Sequence, residues 1–62
     1  MSISETLKRL KAMGLKAKWL SDWREYRVTL PELTPEREEA IAYYTSDWED
    51  ALHTGAAMKG LN

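Results

Sequence analysis

The hydrophobic period of the chain changes at Gly14, and that change limits the fold more than any other feature. Before it, Ile3, Leu7 and Leu10, with Met13 behind them, recur at the spacing of one helical stripe. Ser2 with Glu5 makes a capping box, in which each side chain satisfies a free backbone N–H of the first turn. Gly14 stands where a left-handed C-terminal cap is wanted, and Leu15 can fold back on Leu10 as that motif often requires. After Gly14, Leu15, Ala17 and Trp19 alternate with Lys16 and Lys18, the two-residue period of a half-exposed strand. Ser21-Asp22 is a polar break, after which Tyr26, Val28 and Leu30 alternate with Glu25, Arg27 and Thr29. A helix followed by an antiparallel hairpin is expected. Pro31 ends the second strand, because it has no N–H to give a ladder.

Residues 34–45 admit two readings. Thr34-Pro35-Glu36 is a good helix start, with a capping hydroxyl, a proline in the first turn and an acid next to it. Ala40-Ile41-Ala42-Tyr43-Tyr44-Thr45, however, ends in residues that favour a strand, and Ser46 with Glu49 reads as a second capping box immediately after it. A third strand also closes a core better than a lone hairpin does. The expectation is therefore a strand from about Glu38 to Thr45, with Pro31 to Arg37 as a loop. The last helix runs from Asp47 to about Lys59, with Trp48, Leu52, Gly55 and Met58, beside Ala51, on its apolar stripe. Glycine inside a helix costs about 1 kcal/mol, so Gly55 implies close approach of that helix to the sheet. Gly60 is the stop, and the last residues are expected to be unstructured. The predicted class is α+β, one small domain over residues 1–62. Its order is α–β–β–β–α, with a three-stranded antiparallel sheet packed by two helices; a β-hairpin with three helices is the alternative.

A chain of 62 residues buries only about 60% of its unfolded surface. Chains this small are usually reinforced by disulfides, a metal or association. With no cysteine, disulfides and thiolate sites are excluded, which leaves local packing or a homodimer. No apolar run is long enough for a bilayer. The start, Met1-Ser2-Ile3-Ser4-Glu5, lacks the basic-then-apolar pattern of a signal peptide. A cytoplasmic protein without membrane association is expected. His53 is the one histidine, and no nucleophile–base arrangement, glycine-rich phosphate loop or H-E-x-x-H motif accompanies it. Asp47, Glu49 and Asp50 crowd a helix start, where acids stabilise the helix dipole. Catalytic residues, cofactor and metal are all expected to be absent.

Charge is unevenly placed. Residues 1–31 hold seven cationic side chains against three anionic, a net of +4; residues 32–62 hold two against seven, a net of −5. Such polarity marks either a surface for a charged partner or two halves that neutralise each other within the fold or across a dimer. Three Trp and three Tyr are a large aromatic load. Trp19, Tyr26 and Trp48 fit inward faces. Alternation puts Trp23 on the face opposite Tyr26, and Tyr43 on the face opposite Tyr44, so one or two rings belong on the outer face. The candidate interaction surface is Lys8, Lys11, Lys16, Lys18, Trp23, Arg24, Arg27 and Tyr43. Aromatics flanked by arginine suit a protein interface or stacked bases.

The order α–β–β–β–α is also that of double-stranded-RNA-binding domains, which present lysines at the start of their second helix. The matching stretch, Ser46-Asp47-Trp48-Glu49-Asp50, is acidic and would repel phosphates. The segment from Ala42-Tyr43-Tyr44-Thr45-Ser46-Asp47 through Asp50-Ala51 to Thr54 and Ala57-Met58 is similar to the C-terminal end of a group of short, uncharacterised phage and prophage proteins. In that group a strand ending A-Y-Y-T is followed by D-x-x-D-A, then T and A-M. The resemblance covers the last third of the chain and implies a third strand and a phage or prophage origin. It carries over no catalytic residue. The expected function is that of a small accessory protein that binds a host or phage protein. A nucleic-acid-binding regulator using the basic first half is the alternative.

Overall fold

Both backbone bonds of a Schellman cap form at Gly14, and they set the first corner of the fold. Leu15 N–H donates to Leu10 O at 3.1 Å, and Gly14 N–H to Lys11 O at 2.9 Å. Gly14 has φ +86°, a conformation that costs a residue with a Cβ. In this computed structural model residues 1–60 are described; the end expected to be unstructured, Leu61 and Asn62, lies outside the described residues. Helix α1 spans Ile3–Ala12, with Glu5 N–H donating to Ser2 Oγ at 3.1 Å. Its buried face is Thr6 and Leu10, whereas Ile3 is 40% exposed. Of the expected stripe, Leu10 is in the core and Leu7 and Met13 pack against it, so only Ile3 is corrected, with Thr6 taking the inward place. Thr6 fits inside because its hydroxyl donates to Ser2 O at 2.9 Å, leaving no unpaired polar group.

Strands β1 (Lys16–Leu20) and β2 (Glu25–Thr29) pair antiparallel, with Ala17 opposite Val28 and Trp19 opposite Tyr26. The turn is longer than its polar residues suggest and includes Trp23 and Arg24. Trp23 N–H donates to Leu20 O at 3.1 Å, and Arg24 takes φ +53° to bring the chain into β2.

The segment after β2 combines the two readings. Helix α2 spans Pro35–Ile41 and strand β3 only Tyr43–Thr45, so the loop expected to Arg37 and the strand expected from Glu38 are both corrected. The capping chemistry prevails locally: Arg37 N–H donates to Thr34 Oγ1 at 3.3 Å, and Pro35 occupies the first turn. A single extended residue, Ala42, then separates helix from strand. The order is α–β–β–α–β–α, which departs from that of double-stranded-RNA-binding domains, and the antiparallel sheet runs β1-β2-β3.

Helix α3 covers Trp48–Met58. Its N-cap is Asp47, whose Oδ1 accepts from Glu49 N–H at 2.9 Å, so the expected Ser46 cap is corrected by one residue. The core gathers Leu10, Leu15, Ala17, Tyr26, Val28 and Ala51, with Trp19, Trp48, Leu52 and Met58 packed against it. Trp19 meets Tyr26 edge to face across the strands, ring centroids 4.8 Å apart at 67°. Gly55 is buried, and a Cβ there would lie 2.6 Å from Leu15 Cδ1 and 2.9 Å from Leu10 Cδ2, but 3.7 Å from Val28. The close approach foreseen for Gly55 is therefore mainly to the α1–β1 corner, and less to the sheet. Helices α1 and α3 cover the face bearing Ala17, Tyr26 and Val28. Helix α2 lies on the other.

Candidate interaction surface

Alternation along β1 and β2 sends Lys16, Lys18, Arg27 and Thr29 to the face away from the core, and the register sets Lys18 opposite Arg27 and Arg27 opposite Tyr44. Helix α2 brings two carboxylates onto that face. Lys16 Nζ donates to Glu38 Oε1 at 2.8 Å, Arg27 Nη1 lies 3.6 Å from the same oxygen, and Arg27 Nη2 donates to Glu39 Oε2 at 3.0 Å. Tyr44 Oη donates to Glu39 Oε1 at 2.7 Å and accepts from Arg27 Nε at 3.3 Å. Thr29, fully buried, donates its hydroxyl proton to Glu38 O at 3.2 Å. These contacts shift the titrations consistently. The Lys16 hydrogen bond holds Glu38 below the usual carboxylate value, and the Tyr44 and Arg27 hydrogen bonds do the same for Glu39. Bonds from Arg27 to Tyr44 and Glu39 in turn raise the guanidinium above its own.

The polarised charge is thus partly neutralised inside the fold, cations of the first half against acids of the second. Arg27, expected on an open interaction surface, is corrected: its side chain is only 12% exposed and is occupied by Glu38, Glu39 and Tyr44. Lys8 and Lys11 stand exposed on α1, in the layer on the other side of the sheet from Lys16 and Lys18. The basic residues do not form one patch. Tyr43 is exposed as expected, at 36%, but it pairs with Val28 and so belongs to the helix-side face of the sheet and not the outer one. Its hydroxyl donates to Asp50 Oδ2 at 2.7 Å. That bond raises the Tyr43 phenol and is the largest cause lowering the Asp50 carboxyl. Tyr44 is the tyrosine of the outer face, as parity opposite Tyr43 implies, but nothing in the spacing reveals its link to Glu39.

Trp23 and Arg24 are left at the hairpin tip. Trp23 is 73% exposed, far more than the other exposed large hydrophobic side chains among the described residues, and Arg24 beside it is exposed in a left-handed backbone conformation. A non-glycine residue there is uncommon, and such conformations concentrate at functional positions. His53 is exposed on α3. Among the described residues no group of three or more His, Cys, Asp or Glu could hold a metal ion. None of the described helices is long and apolar enough to cross a membrane. No protein-family model, curated protein or solved structure matches the chain.

Proposed function

We propose that this chain is a small accessory binding protein of the phage or prophage type, acting in the cytoplasm by protein–protein interaction and without catalysis. The observation that carries the reading is Trp23, exposed over 73% of its surface at the tip of the β1–β2 hairpin beside Arg24. Tryptophan and arginine are the side chains most enriched among residues that dominate protein interfaces. A ring of this size in water has no stabilising use in the monomer, and burying it against a partner removes its apolar area from water. The tip is fixed by the strand ladder on both sides, so little ordering is needed on binding. The phage or prophage assignment rests on the Ala42–Met58 resemblance.

The test is retention of proteins from host lysate, with and without phage gene expression, by the tagged chain and by its Trp23→Ala variant. A protein held by the parent and lost by a normally folded variant supports the reading. An identical set on both, or none on either, overturns it. Sedimentation of the same preparations shows whether Trp23 serves a homodimer instead.

A further inference from the structure

The outer face of the sheet has an uncommon arrangement: Lys18 lies directly opposite Arg27, with Lys16 on the same face two residues away. Like charges directly across two strands are destabilising, so this face calls for anions. Helix α2 provides them with Glu38 and Glu39, yet α2 has no buried residue of its own, and Ala40 and Ile41 remain exposed. What holds it is polar: the Lys16–Glu38 and Arg27–Glu39 contacts, the Tyr44 phenol and the Thr29 hydroxyl. Lys16 and Glu39 are well exposed, and ion pairs at such positions are weak and screened by salt, although Arg27 and Glu38 are themselves largely covered. Strand β3 pairs with β2 through its own register, Tyr26 with Thr45 and Val28 with Tyr43. The ladder on both sides of the α2 connection therefore does not depend on α2 lying down.

We propose that α2 is an internal acidic occupant of a basic recognition face made by Lys16, Lys18 and Arg27, and that this face takes an acidic helical segment of a partner protein when α2 lifts. The occupant already in place defines the ligand: a helix with neighbouring carboxylates, seated so that one meets Lys16 and the other meets Arg27 and Tyr44. Lys18 makes no ion pair among the described residues and is available for a further carboxylate. A tethered occupant lowers the apparent affinity for any competitor by the fraction of time the face is open. Weakening α2 must therefore strengthen binding from outside. This surface is separate from Trp23, and either site can fail without the other.

The probe is a labelled helical peptide rich in Glu and Ala, titrated at low ionic strength into the parent chain and the Glu38→Gln/Glu39→Gln variant. The variant is expected to bind at least about tenfold more tightly, with the gain lost when Lys18→Gln and Arg27→Gln are added. Equal or weaker binding by the folded double variant overturns the proposal. A labelled DNA duplex is titrated in parallel, and tighter binding of the duplex than of the peptide overturns the assignment to an acidic protein. Hydrogen exchange on the parent chain provides a readout independent of the variants. Amides of Glu39 to Ile41 are expected to exchange by local opening while Tyr26 and Val28 remain protected. Exchange of α2 only through global unfolding sinks the idea.

Discussion

Lys16 and Glu38 meet at 2.8 Å across the outer face of the sheet, tying the first strand to a helix twenty-two residues further on. The contact joins the cationic half of the chain to its anionic half. Along with Arg27 and Glu39 it makes the position of α2 an electrostatic matter, and that has a consequence for pH.

Glu38, Glu39 and Asp50 are all held below their ordinary values by hydrogen bonds made to their ionised forms. A depressed carboxyl contributes stability above its unfolded value and loses it as pH falls through the folded one. Melting temperature should therefore hold near neutrality and drop as pH falls below 4.5, the ordinary glutamate value. Tyr43 is raised, so its contribution is present below 10.0 and lost as pH rises through its folded value. Thermal melts across pH test both limbs. The Glu38→Gln/Glu39→Gln variant should show a shallower acid limb, and an unchanged one contradicts the assignment.

Gly55→Ala is expected to destabilise the protein even though alanine is the better helix former. The gain in propensity is about 1 kcal/mol, whereas overpacking a closed core costs about 1–3 kcal/mol. The new methyl would meet Leu15 and Leu10, both buried and neither free to swing into water. Urea unfolding should show a net loss of about 1 kcal/mol, and Gly55→Val a larger one. A stabilised Gly55→Ala would mean that the leucines repack without strain.

Asp47, and not Ser46, caps α3. Asp47→Ala should lower stability by about 1 kcal/mol, the usual value of a lost cap, while Ser46→Ala should leave it nearly unchanged. Chemical denaturation of the pair of variants distinguishes the two positions directly.

Arg24→Gly should raise stability by about 0.5 kcal/mol. The left-handed conformation at φ +53° costs an L-residue about 1–2 kcal/mol, from which glycine's larger unfolded freedom is subtracted. If Arg24 also serves the hairpin-tip interface, the more stable variant should bind its partner less well. Denaturation midpoint and partner retention are then expected to move in opposite directions.

Trp23→Ala should leave the melting temperature within a degree or so of the parent, since a side chain 73% exposed contributes little to folding. Tyr26→Ala should cost about 3 kcal/mol, as a truncated buried ring does, and bring so small a domain close to unfolding. Circular dichroism melts of the two variants separate the aromatic of the surface from that of the core.

Local chemistry was readable wherever one short stretch of chain contained both partners. The Ser2 cap, the Gly14 corner with Leu10 and Leu15, the strand parity of Ala17, Tyr26 and Val28, and the α+β class itself follow from spacing and backbone preference alone. Thr34 and Pro35 carry the signal of α2, but the strand-favouring residues after them outweigh it in the sequence and predict a strand from Glu38. That strand is confined to Tyr43–Thr45, and helix and strand both occur because one extended residue, Ala42, suffices to change from one to the other. Spacing could not choose between Ser46 and Asp47 as a cap, or show that Thr6 turns inward in place of Ile3. The tertiary structure decided what different elements bring together: that α2 folds onto Lys16 and Arg27, that Tyr43 of β3 reaches Asp50 of α3, and that Gly55 rests against Leu10 and Leu15. Those contacts depend on which faces the packed layers bring together, and residues 7 to 45 positions apart on different elements carry no local signal of it. The change of period at Gly14 determined the elements on either side; only the packed layers determined which charges they would meet.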